Sequence, residues 1–291
     1  MAARPRIAVL IASYNHGPWI QEAVESVLAQ DGVEVELHVI DDGSRDQSPR
    51  ILQELADRHG FDLLIRSNQG LTATLIELVS RTDASWFCSL GSDDIMPPGR
   101  LKAQWEELER YPNAPGCSGQ VVEMNAQSQL QSKALQRFHR GIPEVHFEQL
   151  LLAQREIHGA SVLIRRSAFE AVGGYHRGIE VEDYPLWLAL TRRFGPLRVL
   201  PDVVCHYRIH GSNMHLRSNF MYTELLKAVD LHRDHPLHPR AVRRWKANWW
   251  SELAFNDKFQ AFRRIFELGS LEPSFLRRLP KLFIPRSWLR Q

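Results

Sequence analysis

The spacing of hydrophobic residues alternates between two patterns along the first third of the chain. Short, mainly apolar runs lie at residues 7–12, 35–40, 61–65 and 86–90 and predict strands. The run at 7–12 is apolar on both alternating faces, which predicts a strand buried on both faces. Apolar residues at helical spacing lie between these runs, as in residues 19–28. This alternation predicts an α/β fold with a parallel sheet and right-handed crossovers.

The remaining two thirds of the chain have a less regular pattern. It predicts helices at residues 101–108 and 184–194, strands at 116–124, 160–164 and 197–207, a polar loop at 125–143, and helices from residue 220 onward. We find no internal repeat and no low-complexity tract. This part of the chain is therefore predicted to add further strands to the sheet and then to form a helical segment.

Polar and acidic residues follow each of the first four predicted strands. These groups are Ser13, Tyr14 and Asn15, then Asp41 and Asp42, then Asn68, Gln69 and Gly70, then Ser92, Asp93 and Asp94. Because the carboxyl ends of parallel strands share one edge of a sheet, we expect these groups to lie near one another. Each group alone is also typical of a turn or a helix cap. Four such groups in one register favour a ligand site.

Seven motifs in one order carry a resemblance to a known family. They read SYN, DDGS, NQG, SDDIMPPGRL, LIRRSAFEAVGGY, EDYPLWLAL and YRIHGSNM, and they lie between residue 6 and about residue 215. In these motifs the chain resembles glycosyltransferase family 2, an inverting family with the GT-A fold. The resemblance implies a Rossmann-like mixed sheet flanked by helices.

The resemblance also implies a domain organisation. Residues 1–218 would form the glycosyltransferase domain, with a nucleotide-sugar half at about 1–100 and an acceptor half at about 101–218. Residues 219–291 would form a basic, helical C-terminal extension. These boundaries are expectations for the structure.

The family pattern assigns donor-binding roles to the strand-end residues. The nucleotide-sugar site would include Ser13, Tyr14, Asn15, Asp41, Asp42, Asn68, Gly70, Ser92, Asp93, Asp94 and Arg208. Within this set, Tyr14 would stack on the base, and Asp41 and Asp42 would accept hydrogen bonds from the base and ribose. Arg208 and Arg217 are candidates for contacting the diphosphate, and an ordinary surface or packing role is the alternative for each.

The resemblance further implies a divalent metal, Mn²⁺ or Mg²⁺. Asp93 matches the second acid of the family's DxD motif, and Gly91 stands where the first acid is expected. His210 matches a late segment in which a histidine approaches the metal, although a loop histidine without a metal role remains open. A hard cation is suited to stabilising the charge that builds on a departing diphosphate.

The pair Glu182-Asp183 matches the family's catalytic ED motif, in which Asp183 is the general base. Acidic residues at a helix start also interact favourably with the helix dipole, which is the structural alternative. The two interpretations are compatible, and the helix N-terminus predicts a pKa for Asp183 near or below its ordinary value of about 4. A single base opposite a metal-held leaving group implies inversion at the anomeric carbon.

The predicted function is transfer of a sugar from a nucleotide diphosphate sugar, with UDP as the expected nucleotide. The expected acceptor is a hydroxyl of a glycan or of a lipid-linked glycan, in surface polysaccharide synthesis at the cell envelope. The alternatives are a non-catalytic nucleotide-sugar-binding module and a nucleotidyltransferase. A nucleotidyltransferase would need a basic, glycine-rich loop after the first strand, and residues 13–17 contain no Lys or Arg.

Charge is distributed unevenly along the chain. The net charge is +2, but residues 240–291 contain 12 Lys or Arg and 4 Asp or Glu, a local balance of +8. Four phenylalanines in this segment, Phe255, Phe259, Phe262 and Phe266, are spaced as one helical stripe. The stripe predicts either packing on the catalytic domain or a peripheral contact with anionic lipid. Nucleic-acid binding is not expected, because no recognised module is present.

Cysteine content and hydropathy complete the sequence-based expectations. The three cysteines lie far apart and form no CxxC pair, so they predict neither disulfides nor a zinc site. Cys88 lies in an apolar run and is expected to be a buried, inert thiol. The chain contains no run of about 18 apolar residues and no signal-peptide pattern. We therefore expect a cytoplasmic protein, with peripheral attachment to the inner face of the membrane as the alternative.

Overall fold

The computed structural model describes residues 4–131, 141–211, 218–268 and 273–283. The strands are β1 (Arg6–Ser13), β2 (Glu34–Asp42), β3 (Asp62–Arg66), β4 (Trp86–Ser89), β5 (Gly116–Met124), β6 (Glu144–Val145), β7 (Leu163–Arg165) and β8 (Leu197–Arg208). They form one sheet in the order β3-β2-β1-β4-β7-β5-β8-β6. Strands β1 to β4 are parallel, whereas β7 is antiparallel to both of its neighbours. The sheet is therefore mixed, as predicted.

Helices occupy most of the connections between the strands and nearly all of the C-terminal region. They are α1 (Ile20–Leu28), α2 (Ser48–His59), α3 (Leu71–Ser80), α4 (Arg100–Arg110), α5 (Phe147–Leu151), α6 (Arg166–Ala171), α7 (Asp183–Phe194), α8 (Ser218–Asp230), α9 (His238–Asn256), α10 (Lys258–Arg263), α11 (Ile265–Leu268) and α12 (Pro273–Leu276). The predicted helices at 101–108 and 184–194 agree with α4 and α7 within one or two residues.

The apolar patterning explains the core of the sheet. Residues 7–11 of β1 are fully buried, because helices cover both faces of this central strand. On one face Ile7, Val9 and Ile11 pack with the apolar side of α1, which includes Val24 and Val27. Burial on both faces is the reason why β1 reads as a continuous apolar run.

One predicted strand is wrong in position. Residues 160–164 were expected to form a strand, but Gly159–Ser161 is a turn of 3-10 helix and β7 begins at Leu163. The hydroxyl of Ser161 donates a hydrogen bond to the carbonyl of His158 at 2.6 Å, which favours the turn over an extended backbone. The polar loop predicted at 125–143 is described only in part, because residues 132–140 lie outside the described residues.

The chain divides into two compact units. One contains Met1–Phe147 and Glu156–Gly211, and the other contains Glu148–Arg155 and Ser212–Gln291. The second unit has its own apolar core, in which Trp250 is fully buried and packs edge-on against Phe275 at 4.8 Å between ring centroids. The predicted domain boundary after residue 218 stays a prediction.

The prediction that four phenylalanines form one helical stripe is wrong. Helix α9 ends at Asn256, and the Asp257 carboxylate accepts a hydrogen bond from the backbone N–H of Gln260, which caps a separate helix, α10. Phe259, Phe262 and Phe266 are 68%, 66% and 97% exposed, so these three rings are not packed in a core.

Two further expectations concern cysteines and membrane spans. Cys88, Cys117 and Cys205 are all free and buried, which confirms the prediction for Cys88. Among the helices that the structure describes, none combines the length and the apolar character that crossing a lipid bilayer requires. The expected cellular location stays a prediction.

Candidate active site

The ends of the parallel strands bring the predicted site residues to one edge of the sheet. In the register of β1 and β2, Ser13 lies opposite Asp41, and Asp42 lies opposite Arg66 of β3. Strand β4 runs parallel to β1 on its other side, so the loop that carries Asp93 leaves the sheet at the same edge. The sequence prediction of a shared edge is confirmed.

Asp41 ties the first two strand-end loops together. Its carboxylate accepts hydrogen bonds from the backbone N–H and the hydroxyl of Ser44, at 2.9 and 2.7 Å. The hydroxyl of Ser44 in turn accepts from the backbone N–H of Asn15 at 2.8 Å, where Asn15 has a left-handed φ of 55°. Asp41 is fully buried, so its carboxylate shapes the two loops.

Asp42 ties the loop after β3 in the same way. Its carboxylate accepts from the backbone N–H groups of Gln69 and Gly70, at 3.0 and 2.8 Å, and pairs with Arg66 at 2.6 Å. The side-chain amide of Asn68 donates to the backbone carbonyl of Asp42 at 2.8 Å. These contacts hold Asn68 and Gly70 beside the end of β2.

Tyr14 and Ser13 have opposite exposures. Ser13 is fully buried at the end of β1, whereas Tyr14 is 46% exposed. An exposed aromatic ring beside the buried strand end has a free face for a planar ligand. Tyr14 is therefore the strand-end residue whose ring is best placed to stack on a base.

Asp93 lies among histidines. Its carboxylate shares a hydrogen bond with Nε2 of His210 at 2.8 Å and lies 3.7 Å from Nδ1 of His16. One ligand atom from each of the three residues lies within 4.8 Å of the other two. Two imidazoles and one carboxylate are a suitable donor set for a divalent transition metal.

The two imidazoles are held by neighbouring groups. Nδ1 of His16 shares a hydrogen bond with the Ser92 hydroxyl at 2.7 Å, and the His210 ring packs against Trp19 at 4.4 Å between centroids. The indole N–H of Trp19 donates to the backbone carbonyl of Ala126 at 3.0 Å, which fixes its ring. Burial lowers the pKa of His16, so the neutral imidazole that a metal requires is favoured at neutral pH.

Asp94 and Arg208 lie in the interior behind Asp93. Asp94 is 2% exposed and accepts from the backbone N–H of Arg208 at 2.8 Å, and burial together with the Asp93 charge raises its pKa. The Arg208 guanidinium is fully buried, donates to the backbone carbonyl of Asp93 at 2.6 Å and pairs with Glu22 at 2.7 Å. Both side chains are engaged inside the protein and support the Asp93 loop. Neither is positioned here to contact a nucleotide sugar directly. Arg217 lies outside the described residues.

Gly91 leaves room for the two carboxylates that follow it. A Cβ at this position would lie 2.5 Å from Oδ2 of Asp94 and 2.9 Å from Oδ1 of Asp93. Real Cβ atoms essentially never approach other heavy atoms so closely. A residue larger than glycine at position 91 would therefore require the Asp93 and Asp94 carboxylates to shift.

Asp183 begins α7, and Glu182 precedes it. The Asp183 carboxylate accepts from the backbone N–H groups of Tyr184 and Gly159, and a Cβ on Gly159 would lie 2.8 Å from that carboxylate. Burial nevertheless raises the pKa of Asp183 to about 6, and burial and the Asp183 charge raise the pKa of Glu182 to about 8. The expected low pKa of Asp183 is wrong, because burial outweighs the helix N-terminus.

Tyr175 connects this acidic pair with the end of β4. The Tyr175 hydroxyl makes a hydrogen bond to Ser89, the last residue of β4, and the charges of Glu182 and Asp183 act on it. The turn Gly159–Ser161, which contacts Asp183, also packs against β4 and β8. Asp183 therefore lies on the side of the sheet where the loops of β4 and β8 carry Asp93 and His210.

Comparison with known sequences decides the family. The sequence model of the family described as "Glycosyl transferase family 2" matches residues 8–173, more than half of the chain. The chain belongs to glycosyl transferase family 2. This confirms the family that the seven motifs predicted, and it covers the strand-end loops from Ser13 to Asp94.

Relatives of this chain match it over only part of their own length. A glycosyltransferase of Rickettsia prowazekii, RP339, is 26% identical over 212 residues, covering 72% of this chain and 65% of that protein. The succinoglycan biosynthesis protein ExoO of Rhizobium meliloti is 31% identical over 105 residues, covering 36% and 30%. The chain thus spans less than two thirds of the length of these relatives.

Solved structures confirm the GT-A fold. Residues 1–349 of TarS from S. aureus, in complex with UDP-GlcNAc, match with a TM-score of 0.66 and 14% identity, over 95% of this chain and 80% of that one. The mannosyltransferase PcManGT from Pyrobaculum calidifontis, in complex with GDP-Man and Mn²⁺, matches with a TM-score of 0.61 and 16% identity, over all of this chain and 89% of that one.

Two residues of the glycosyltransferase site were not identified from the sequence. His16 directly follows the SYN motif, and Trp19 was assigned only to the apolar face of a helix. The signal that was available for His16 is its place in the loop after the first strand, two residues beyond Tyr14. Its approach to Asp93 depends on pairing across 77 positions of the chain, which no local spacing reveals.

Proposed function

We propose that this protein is an inverting, metal-dependent glycosyltransferase that transfers a sugar from a UDP-sugar to a hydroxyl of a glycan or lipid-linked acceptor, in surface polysaccharide synthesis. The observation that carries the proposal is the arrangement of Asp93 with two imidazoles at the edge of the sheet where Tyr14 is exposed and the pKa of Asp183 is raised. The nucleotide sugars bound by TarS and PcManGT and the succinoglycan role of ExoO support the donor and acceptor classes.

The donor would bind over the ends of β1 and β2. Tyr14 stacks on the base, and the loops that Asp41 and Asp42 hold in place provide the backbone groups around the ribose. Asn68 and Gly70 lie at this position, and Gly70 has a φ of 89°, which favours glycine. In this proposal Asp41 and Asp42 act mainly by fixing the shape of the loops.

Asp93 and His210 would hold the divalent cation, Mn²⁺ or Mg²⁺. When bound, this cation supplies Lewis-acid stabilisation of the negative charge on the departing diphosphate. Ser92 supports the site through its hydrogen bond to His16, and Arg208 fixes the carbonyl of Asp93.

Asp183 would accept the proton of the acceptor hydroxyl, and Glu182 would modulate that step through its charge. A pKa of about 6 makes Asp183 a stronger base than an ordinary aspartate while leaving it mainly ionised at neutral pH. A single base acting on the face opposite the leaving group corresponds to one displacement at the anomeric carbon. The product anomer is therefore inverted.

Thermal unfolding with a panel of nucleotide sugars tests the proposal directly. Each nucleotide sugar is added with and without Mn²⁺, and release of the nucleoside diphosphate is then measured with the stabilising donor. We expect a UDP-sugar to raise Tm more with Mn²⁺ than without it, and to release UDP slowly in the absence of acceptor.

Two outcomes would contradict the proposal. Stabilisation without any release of UDP, with or without glycan acceptors, would identify a binding module. Release of pyrophosphate from a nucleoside triphosphate in the presence of a sugar phosphate would identify a nucleotidyltransferase.

The second unit carries a surface that we assign to anionic lipid. Phe259, Phe262 and Phe266 are exposed, and the Arg263 guanidinium lies 5.7 Å from the Phe259 ring centroid. Exposed aromatic rings next to cations are typical of helices that lie in the interface of an anionic bilayer. Peripheral attachment would place the enzyme beside a lipid-linked acceptor.

Vesicle sedimentation tests this lipid contact. The full-length chain should sediment with vesicles of phosphatidylglycerol and phosphatidylcholine, and replacing Phe259, Phe262 and Phe266 with serine should weaken binding by about tenfold or more. Leu231→Ser, at another apolar residue that is 46% exposed, is the matched control and should bind normally. Equal binding of the triple variant and the control would exclude this surface.

A further inference from the structure

We infer that His16 is a third protein ligand of the cation held by Asp93 and His210, and that this set of two imidazoles and one carboxylate makes the protein prefer Mn²⁺ to Mg²⁺. The inference rests on the proposed function, because it concerns the same metal site. It adds a residue that precedes Asp93 by 77 positions and lies outside the motif that carries the acidic ligand.

The separations of the donor atoms suit one shared ion. Two ligands about 2.1 Å from an ion lie about 3.0 Å apart at a right angle and about 3.6 Å apart at 120°. Nε2 of His210 lies 2.8 Å from Asp93, and Nδ1 of His16 lies 3.7 Å from the other oxygen of the same carboxylate. One ligand atom from each of the three residues lies within 4.8 Å of the other two, so only small movements are needed to surround an ion. An ion bound to Nδ1 of His16 replaces the hydrogen bond that this atom shares with the Ser92 hydroxyl.

The backbone of His16 is fixed before any ion binds. Its N–H donates to the Ser48 hydroxyl at 3.1 Å, and its carbonyl accepts from the N–H groups of Trp19 and Ile20, both at 2.9 Å. The next residue, Gly17, donates its N–H to the Asp46 carboxylate at 2.9 Å. The imidazole is therefore carried by a loop whose backbone is hydrogen-bonded on both sides of His16. Because this loop is already ordered, metal binding costs less conformational entropy.

His16 approaches the site from a different loop than Asp93 does. Its ring reaches the Asp93 carboxylate from the loop after β1 and packs edge-on against His210 at 5.5 Å between centroids. The site thus contains two nitrogen donors beside one carboxylate.

This set of donors determines the preferred metal. Mg²⁺ strongly prefers oxygen ligands and retains several waters, whereas Mn²⁺ accepts imidazole nitrogen more readily. A second imidazole therefore stabilises bound Mn²⁺ more than bound Mg²⁺. The ratio of the two affinities reports on His16 independently of catalysis.

Metal titration of the full-length chain tests the assignment. Free Mn²⁺ is measured by electron paramagnetic resonance, alone and with saturating UDP, and Mg²⁺ is measured by competition. His16→Ala should weaken Mn²⁺ binding by at least about tenfold and leave Mg²⁺ binding much less affected. His16→Asp, which returns an oxygen donor, should restore binding and shift the preference toward Mg²⁺.

The matched control is His59→Ala, at an exposed histidine in the last turn of α2. It should bind both ions like the original protein. Unchanged Mn²⁺ affinity in His16→Ala, or equal losses for Mn²⁺ and Mg²⁺ in both His16 variants, would overturn the assignment of His16 while leaving the proposed function intact. Absence of Mn²⁺ binding by the original protein in both arms would overturn the metal dependence itself.

Discussion

Asp42 and Asp93 follow parallel strands at the same edge of one sheet, and their carboxylates have different partners. Asp42 accepts two backbone N–H groups and pairs with Arg66, so its charge is compensated within the protein. Asp93 faces His16 and His210, whose imidazole nitrogens can themselves bind a cation. An acidic residue at the end of a strand is thus only a candidate for the ligand site. The partners of its carboxylate determine whether the residue stabilises a loop or binds a ligand.

The largest expected effect separates these two acids by function. Asp93→Asn removes the anionic ligand between the two histidines, so we expect transfer to fall by about 10³-fold, since metal stabilisation of the leaving group is worth several kcal/mol. Mn²⁺ affinity should fall in parallel, and Tm should be unchanged or slightly higher because the charge beside Asp94 is lost. A large fall in Tm would instead give Asp93 the same loop-stabilising role as Asp42.

The second prediction extends the comparison to Asp183, a half-buried acid without a cationic partner in the described contacts. Asp183→Asn should retain donor binding and lose about 10²-fold in transfer. In the original protein the rate should rise as pH increases through about 6, because the ionised carboxylate is the active form. Initial rates from pH 5 to 8 check this, and the variant should lose that dependence. A variant with full activity would exclude Asp183 as the base.

The third prediction concerns the contribution of Asp42 to the stability of the fold. Asp42→Asn removes the closer of the two anionic partners of Arg66 and leaves Glu77 at 3.2 Å. It also weakens the acceptors for the backbone N–H groups of Gln69 and Gly70, so it should destabilise the fold by about 1 to 3 kcal/mol. Tm should fall by several degrees, while transfer should fall much less than in Asp93→Asn. Thermal unfolding and initial rates measured on the same preparations give both values. The reverse pattern would mean that Asp42 contacts the donor directly.

The smallest expected effect is the pH dependence of stability at Glu182. Its pKa is raised from 4.5 to about 8, so between these values the folded chain keeps a proton that the unfolded chain has lost. The contribution of Glu182 to the free energy of unfolding is therefore favourable at low pH and is lost as pH rises from 4.5 to about 8. Glu182→Gln should raise Tm relative to the original protein by about 2 °C or more at pH 8 and by less at pH 5. An equal difference at both values would contradict the raised pKa.

The sequence predicted the parallel half of the fold well for a physical reason. Strands buried on both faces, such as β1, need apolar residues at every position, and the following polar residues mark their ends. The Gly159–Ser161 turn was missed because its short apolar pattern does not distinguish a strand from a turn of helix. The stripe beginning at Phe255 was misjudged because the capping role of Asp257 was not considered.

The candidate site was predictable only in its list of strand-end residues. The resemblance to the family was enough to place Asp93 and His210 in one site, but the approach of His16 depends on the folded loops. The pKa of Asp183 was predicted too low because the sequence shows the helix N-terminus and does not show burial. Likewise, only packing reveals that Arg208 is enclosed behind Asp93.

The burial of every cysteine has a practical consequence for labelling experiments. Burial raises the pKa of the thiols of Cys88, Cys117 and Cys205, so the reactive thiolate is scarce at neutral pH and shielded from reagents. Maleimide reagents should therefore leave the folded chain unmodified. A single cysteine introduced at the exposed Phe262 would carry a fluorophore or spin label without removal of any native thiol.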